Sequence, residues 1–243
     1  MSEISPDVLA KLRTFDTPTI CNIIELFAVR PRNAGYMDAR IRACFPEMPP
    51  MVGLAATATF RSSGPPREKD AYASTEDQVA RFAELSGRPV VVFQDLDDPP
   101  AAATFGEIMC TVYQAFGAVG LVTSGAGRDL DQVQAIGFPV FTNGAICAHG
   151  YCHILHVHVP VHVGGIVVYP DDLIHGDRNG VTTIPRPIAA EVADVGGEFV
   201  AAEKVILDAM REGTPSLRRL KEVHAEAGAR IAGLRAQVSR ARR

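Results

Sequence analysis

The sequence is short of lysine. Of 243 residues only Lys11, Lys69, Lys204 and Lys221 are lysines. All four stand among polar or helix-surface residues, and none in a buried strand, where desolvation would lower its pKa. Schiff-base chemistry is therefore not expected. Cysteine offers no framework either. Cys21, Cys44, Cys110, Cys147 and Cys152 form no C-x-x-C and are odd in number, which points to reduced thiols in a cytoplasmic setting. No apolar run approaches the roughly 18–20 residues of a membrane span. The start, "MSEISPDVLAKL", lacks the basic-then-apolar order of a signal peptide. A formal net charge of −4 argues against a general binder of nucleic acid or membrane surfaces. There is no G-x-S-x-G, Walker loop or H-E-x-x-H. No Gly-rich nucleotide loop joins a strand to a helix, and no repeat or low-complexity segment occurs.

What is present suits a sizeable core: 47% of the residues are hydrophobic, enough for one large domain or a domain with an appended segment. Ser5 followed by Pro6 starts a helix, and Asp16 or Thr17 caps a second that runs to residue 29. Residues 52–63 alternate small and apolar residues like a strand. Residues 71–85 have helical spacing, and 90–96 read as a buried strand. Helix and strand then alternate. A helix over 106–118 precedes the strand "VGLVTSG". The short helix "RDLDQVQAIG", closed by Gly137, precedes the strand "FPVFTNG". Residues 151–168 read as two strands broken near Pro160 and Gly164–Gly165. Residues 170–185 hold two turns, each leading into a short strand. From about 188 the chain reads as helical to its end. This order predicts a mixed α/β sandwich. The closing "RIAGLRAQVSRARR" has five arginines and no acid, as in an exposed helix end, an oligomer contact or a nucleic-acid contact.

Three segments carry residues with chemical potential. In "FGEIMCT" (105–111), Gly106 lets the backbone come close to a ligand. The following helix start offers free N–H groups and a positive dipole end to a carboxylate or phosphate. Glu107 there is either functional or a favourable first-turn charge. In "GAGRDLD" (125–131), Arg128 offers a planar fork to a carboxylate or enolate oxygen. Asp129 is a hard oxygen ligand suited to Mg²⁺ or Mn²⁺. The alternative is that Asp129 and Asp131 occupy a helix first turn and Arg128 pairs with one of them. "PDDLIHGDRNGV" (170–181) reads as two tight turns. His149, His153, His156, His158 and His162 crowd together beside Cys147 and Cys152. Their spacing matches no structural zinc pattern. On one strand, His156, His158 and His162 would share a face with His153 on the other, which suits a polar sheet face or a subunit contact.

Together these segments resemble the RraA-like family. "FGEIMCTVYQAFGAVGLVTSGAGRDLDQVQAIGFPVFTNG" is similar to its G-E/D opening, its G-x-x-R-D and its G-F-P-V-F. "VPVHVGGIVVYPDDLIHGDRNGVTTIP" resembles its next block, and "TPTICNII" and "VGLAATATF" its weaker N-terminal elements. The resemblance covers roughly residues 15–190. It implies an αββα sandwich of the swivelling β/β/α type, spanning 1–190. A C-terminal helical extension, 191–243, would pack on a neighbouring subunit of a homo-trimer or homo-hexamer. The family includes metal-dependent class II pyruvate aldolases that cleave 4-hydroxy-4-methyl-2-oxoglutarate or 4-carboxy-4-hydroxy-2-oxoadipate and decarboxylate oxaloacetate. It also includes non-catalytic regulators that bind ribonuclease E. By the aldolase pattern Arg128 would hold the pyruvyl carbonyl and enolate oxygen of a small 2-oxo acid. Asp129 would bind Mg²⁺ or Mn²⁺, and Glu107 would hold metal-bound water. The N–H groups of Ile108 and Met109, after Gly106, would take the carboxylate. Glu203, or else Glu198, would reach a neighbouring subunit's site. The sequence departs from the family at Pro170–Asp171–Asp172, where a turn glycine is missing, and in its richer run of histidines.

Overall fold

A computed structural model describes residues 4–66, 72–212 and 214–241. The helices are α1 (Pro6–Leu12), α2 (Thr17–Ile24), α3 (Thr75–Ala80), α4 (Glu107–Ala115), α5 (Leu130–Ala135), α6 (Ala189–Arg211) and α7 (Leu217–Ala241). The strands are β1 (Arg42–Ala43), β2 (Met51–Arg61), β3 (Pro89–Asp95), β4 (Ala103–Phe105), β5 (Gly120–Thr123), β6 (Ala126–Gly127), β7 (Val140–Thr142), β8 (His153–Val157), β9 (Val161–Val163), β10 (Ile166–Val168), β11 (Leu173–Asp177) and β12 (Gly180–Ile184).

Local chemistry sets the helix starts. The Ser5 hydroxyl accepts from the Val8 N–H, and Asp16 Oδ1 accepts from the Thr19 N–H at 2.7 Å. Ser74 and Asp77 cap α3 reciprocally. The helix expected over 71–85 begins only there; residue 71 lies outside the described residues.

The main sheet has the order β1-β7-β5-β3-β2-β11-β12. Strands β2, β3, β5 and β7 are parallel, as the helices between them require. β2 is long enough to pair along its free edge with β11 first and with β8 further on, both antiparallel. Its even-numbered residues face the helices. Val52 and Leu54 join a core with α1, α2, α6 and α7. Ala56, Ala58 and Phe60 join a second core with α4 and α5 residues such as Tyr113 and Val133. The opposite face, with Ala55, Val90 and Val92, is covered by the β9–β10 hairpin through Val161, Val163 and Val168.

Two expectations change. Residues 151–168 hold three strands, because Gly164 and Gly165 (φ +57° and +79°) form the tight turn between β9 and β10. The C-terminal helix is two helices, interrupted before Leu217 where Pro215 cannot continue the hydrogen-bond ladder. α6 buries Val192, Val195 and Phe199 against its own chain's α1–α2 region, each such side chain contributing about 1.5–3 kcal/mol. The inner face of the C-terminal helices is thus taken up within the chain, so contact with a neighbour would use the outer face. Among the described residues no helix is long and apolar enough to cross a membrane.

Candidate functional site

The short parallel pair β4–β6 sets Phe105 beside Gly127. The Arg128 N–H donates to Phe105 O at 3.1 Å. This pairing puts Gly106, the N-cap of α4, next to Arg128 and Asp129. A methyl at Gly106 would come 2.5 Å from Asp129 Oδ2 and 3.1 Å from Arg128 Nε. Glycine is needed so that these two side chains can lie against the start of α4. Gly125 and Gly127 work similarly, making room for Thr104 and Asp95 and for the Phe105 ring. The small residues therefore clear space for the protein's own side chains rather than directly for a ligand.

Asp129 has φ +53°, an uncommon conformation for a residue with a Cβ, and occupies the N-cap position of α5 without a side-chain hydrogen bond to it. Its Oδ2 accepts from the Glu107 N–H at 3.1 Å and lies 3.7 Å from Arg128 Nε. The structural reading of this pair is met in that Asp129 stands at the start of α5 and lies beside Arg128, and about a third of each side chain stays exposed. The hydrogen bonds at the start of α4 are then accounted for. Asp129 takes the Glu107 N–H, and Gly106 O takes the Cys110 N–H at 3.1 Å. Helix geometry leaves the N–H groups of Ile108 and Met109 without an acceptor among the described residues.

Ile108 and Met109 line a cleft of about 130 Å³ together with Thr104, Phe105, Gly106, Arg128, His149 and Cys152. The segment 144–152 supplies the remaining wall. It is fixed by Ile146 N–H to Gly127 O (3.0 Å), Ala103 N–H to Ala148 O (2.8 Å) and Tyr151 N–H to Ser62 O (3.1 Å). Burial raises the Cys152 thiol pKa, and Arg128 opposes that shift. His149 and Cys152 were legible only as part of a histidine-rich run. Nothing local places them here, since the bridge Gly127–Ala145 is non-local.

The other histidines disperse. β8 ends at Val157, after a register shift opposite Thr59–Phe60. His158 lies beyond it at φ +59°, and His162 is on β9. The shared strand face expected for His156, His158 and His162 therefore does not form. His153 stacks on Tyr72 with ring centroids 4.5 Å apart. Among the described residues no group of three or more His, Cys, Asp or Glu is arranged to hold a metal ion.

Glu203 does not line the cleft of its own chain. It is on α6, near Asp16 and Asn22, where burial raises its pKa. Glu198 is exposed on the same helix. At the turn lacking its glycine, Asp171 itself adopts φ +68°. Its carboxylate accepts from the Ser86 N–H at 2.9 Å and pairs with Arg186, so the turn keeps a left-handed residue at that position.

The fold defines an RraA-type α/β protein. An uncharacterized protein from Pseudomonas syringae pv. tomato superposes with a TM-score of 0.71 at 22% identity, over 92% of this chain and 95% of that one. Streptomyces coelicolor RraAS2, described as an unusual member of the RNase ES inhibitor RraA protein family, superposes with a TM-score of 0.65 at 20% identity, over 84% and 97%. A Halalkalibacterium halodurans protein named "Putative 4-hydroxy-4-methyl-2-oxoglutarate aldolase" is 36% identical over 104 residues, 42% of this chain. That match spans about half, 49%, of the relative's own length. The RraA-like family model, Aldolase/RraA, matches residues 17–183. The chain belongs to this family.

Proposed function

We propose that the protein is a divalent-metal-dependent aldolase, a carbon–carbon lyase that cleaves a 4-hydroxy-2-oxo acid to pyruvate, with oxaloacetate decarboxylation as a related reaction. The observation that carries this reading is one cleft bordered by the Arg128 guanidinium and by the N–H groups of Ile108 and Met109, which have no acceptor among the described residues. The N–H groups suit the substrate carboxylate at the positive end of a helix. Arg128 suits the C2 oxygen, on which negative charge grows as the C3–C4 bond breaks and an enolate forms. Among the described residues no lysine competes as an electron sink, since Lys11, Lys204 and Lys221 are on surface helices; Lys69 lies outside them.

Asp129, with Glu107 beside it, would hold Mg²⁺ or Mn²⁺. The donor set fits a hard cation held by one or two carboxylates and completed by water and substrate oxygens, as Mg²⁺ commonly is. When bound, the ion supplies Lewis-acid polarisation of the 2-oxo acid. The protein would act as a homo-trimer or homo-hexamer with the site at a subunit interface, where Glu203, or else Glu198, arrives from a neighbour. Exposed Ile108 and Phe116 beside the cleft helix support such a contact. Five free thiols suit a cytoplasmic setting.

Arg128→Ala tests the reading. Loss of this charge stabilisation is expected to raise the barrier by about 3 kcal/mol, on the order of a hundredfold or more in rate. Pyruvate release near the wild-type rate in a metal-replete assay would remove Arg128 from the mechanism. A regulator that only binds a ribonuclease needs no such site, and its Arg128→Ala variant would keep full activity in pull-down and RNA-decay assays.

A further inference from the structure

We infer that a second cavity, at the carboxyl ends of β3, β5 and β7, binds a small aliphatic amine in its ammonium form. None of the described residues that line it also lines the cleft, so the site stands independently of the lyase reading.

Three neighbouring parallel strands build it. β3 ends at Asp95, β5 at Thr123 and β7 at Thr142. Asp95, Ser124 and Asn143 therefore stand together at one end of the sheet, and all three line the cavity. Open α/β sheets take their ligands outside the carboxyl ends of the strands. The volume here is about 220 Å³, room for a small organic molecule rather than for a water or two. The walls are tied together. The Asp95 N–H donates to Ser124 Oγ at 2.9 Å, joining the ends of β3 and β5. The His162 N–H donates to Gln94 Oε1 at 2.8 Å, which holds β9 against β3 as one side of the cavity.

The charge of the walls selects the ligand. Asp95, Asp97 and Asp98 all line the cavity. Arg40 lines it too, but its guanidinium is engaged by Asp38, through Nε at 3.0 Å and Nη2 at 2.8 Å. An anion would meet a surplus of carboxylates. Asp97 is held in place by the N–H groups of Ser62 and Ser63, at 2.8 and 3.0 Å. Asp95 is 7% exposed, and its Oδ2 has no hydrogen bond among the described residues. A buried carboxylate oxygen calls for a donor or a positive charge, and an ammonium group brings both. Asp98 is exposed and offers a second carboxylate nearer to solvent. A metal ion is the poorer match, because among the described residues no group of three or more His, Cys, Asp or Glu is arranged to hold one. Ile41, Leu96 and Pro100 complete the walls and give a methylene chain apolar surface to lie against.

Calorimetric titration of the full-length protein at neutral pH tests the site. The probe is 1,4-diaminobutane, with 1,4-butanediol and succinate as its neutral and anionic counterparts. The diamine is expected to bind saturably, and the diol and succinate are not. Asp95→Asn should weaken diamine binding by about tenfold or more, as loss of a hydrogen bond between charged groups does. Asp98→Asn, at an exposed position that leaves the core untouched, should weaken it to a smaller extent. Arg128→Ala, in the cleft, should bind the diamine as wild type does. No saturable binding of the diamine, equal binding of the diol or succinate, or unchanged affinity in either aspartate variant would overturn the assignment. Loss of binding in Arg128→Ala would also overturn it, placing the amine in the cleft.

Discussion

Asp95 shows how one buried carboxylate can carry a measurable signature. It ends β3 and is 7% exposed. Oδ1 accepts from the Asp97 N–H at 3.0 Å, while Oδ2 has no hydrogen bond among the described residues, although Thr104 lies near enough to oppose the shift. Burial pushes its pKa up to about 6, against about 3.9 in an unfolded chain. The folded state thus holds this proton more tightly. Its favourable contribution is present below about pH 4, falls as the pH rises towards 6, and is lost above that. Asp95→Asn removes the titration. Urea unfolding from pH 4 to 7 should show wild type losing stability relative to the variant across this window; parallel profiles would contradict the assignment. The sequence did not mark Asp95, which reads as the end of a buried strand, because burial of a single carboxylate depends on distant residues such as Gly125 and Thr104. Arg128 and Asp129 were legible, because a charged pair after small residues at a strand end is unusual in itself.

At the scale of elements, α4 has two uses. Its N-terminus borders the cleft, and its outer side forms an apolar trough with α3, about 660 Å³ in volume, through Val79, Ala80, Val112 and Phe116. Phe116 is 62% exposed there, a costly arrangement for a free surface. In the proposed assembly this trough is covered by another copy. Phe116→Glu is then expected to lower the solution mass measured by light scattering and to reduce pyruvate release with it. An unchanged mass would move the subunit contact elsewhere. Helix starts at Ser5 and Asp16 and the stop at Gly137 could be read from the sequence, because caps are local chemistry. The pair β4–β6 could not. Strands of two or three residues carry no periodicity, and their pairing joins positions far apart in sequence. That pair is what brings Gly106 to Arg128, so the site's assembly was the less legible part.

For the molecule as a whole, alternating strands and helices indicated a mixed α/β architecture, and the order of motifs indicated the family. The wall built by 144–152 emerged only in three dimensions, because backbone bonds to Gly127, Ala103 and Ser62 hold it there. The central claim is that this cleft makes pyruvate with the help of a divalent cation. It is tested most directly by measuring pyruvate release by the wild-type protein from a panel of 4-hydroxy-2-oxo acids and oxaloacetate, with and without EDTA. The account predicts release that EDTA abolishes and added Mg²⁺ or Mn²⁺ restores. No release from any of these acids in the presence of metal, or release indifferent to EDTA, would contradict it.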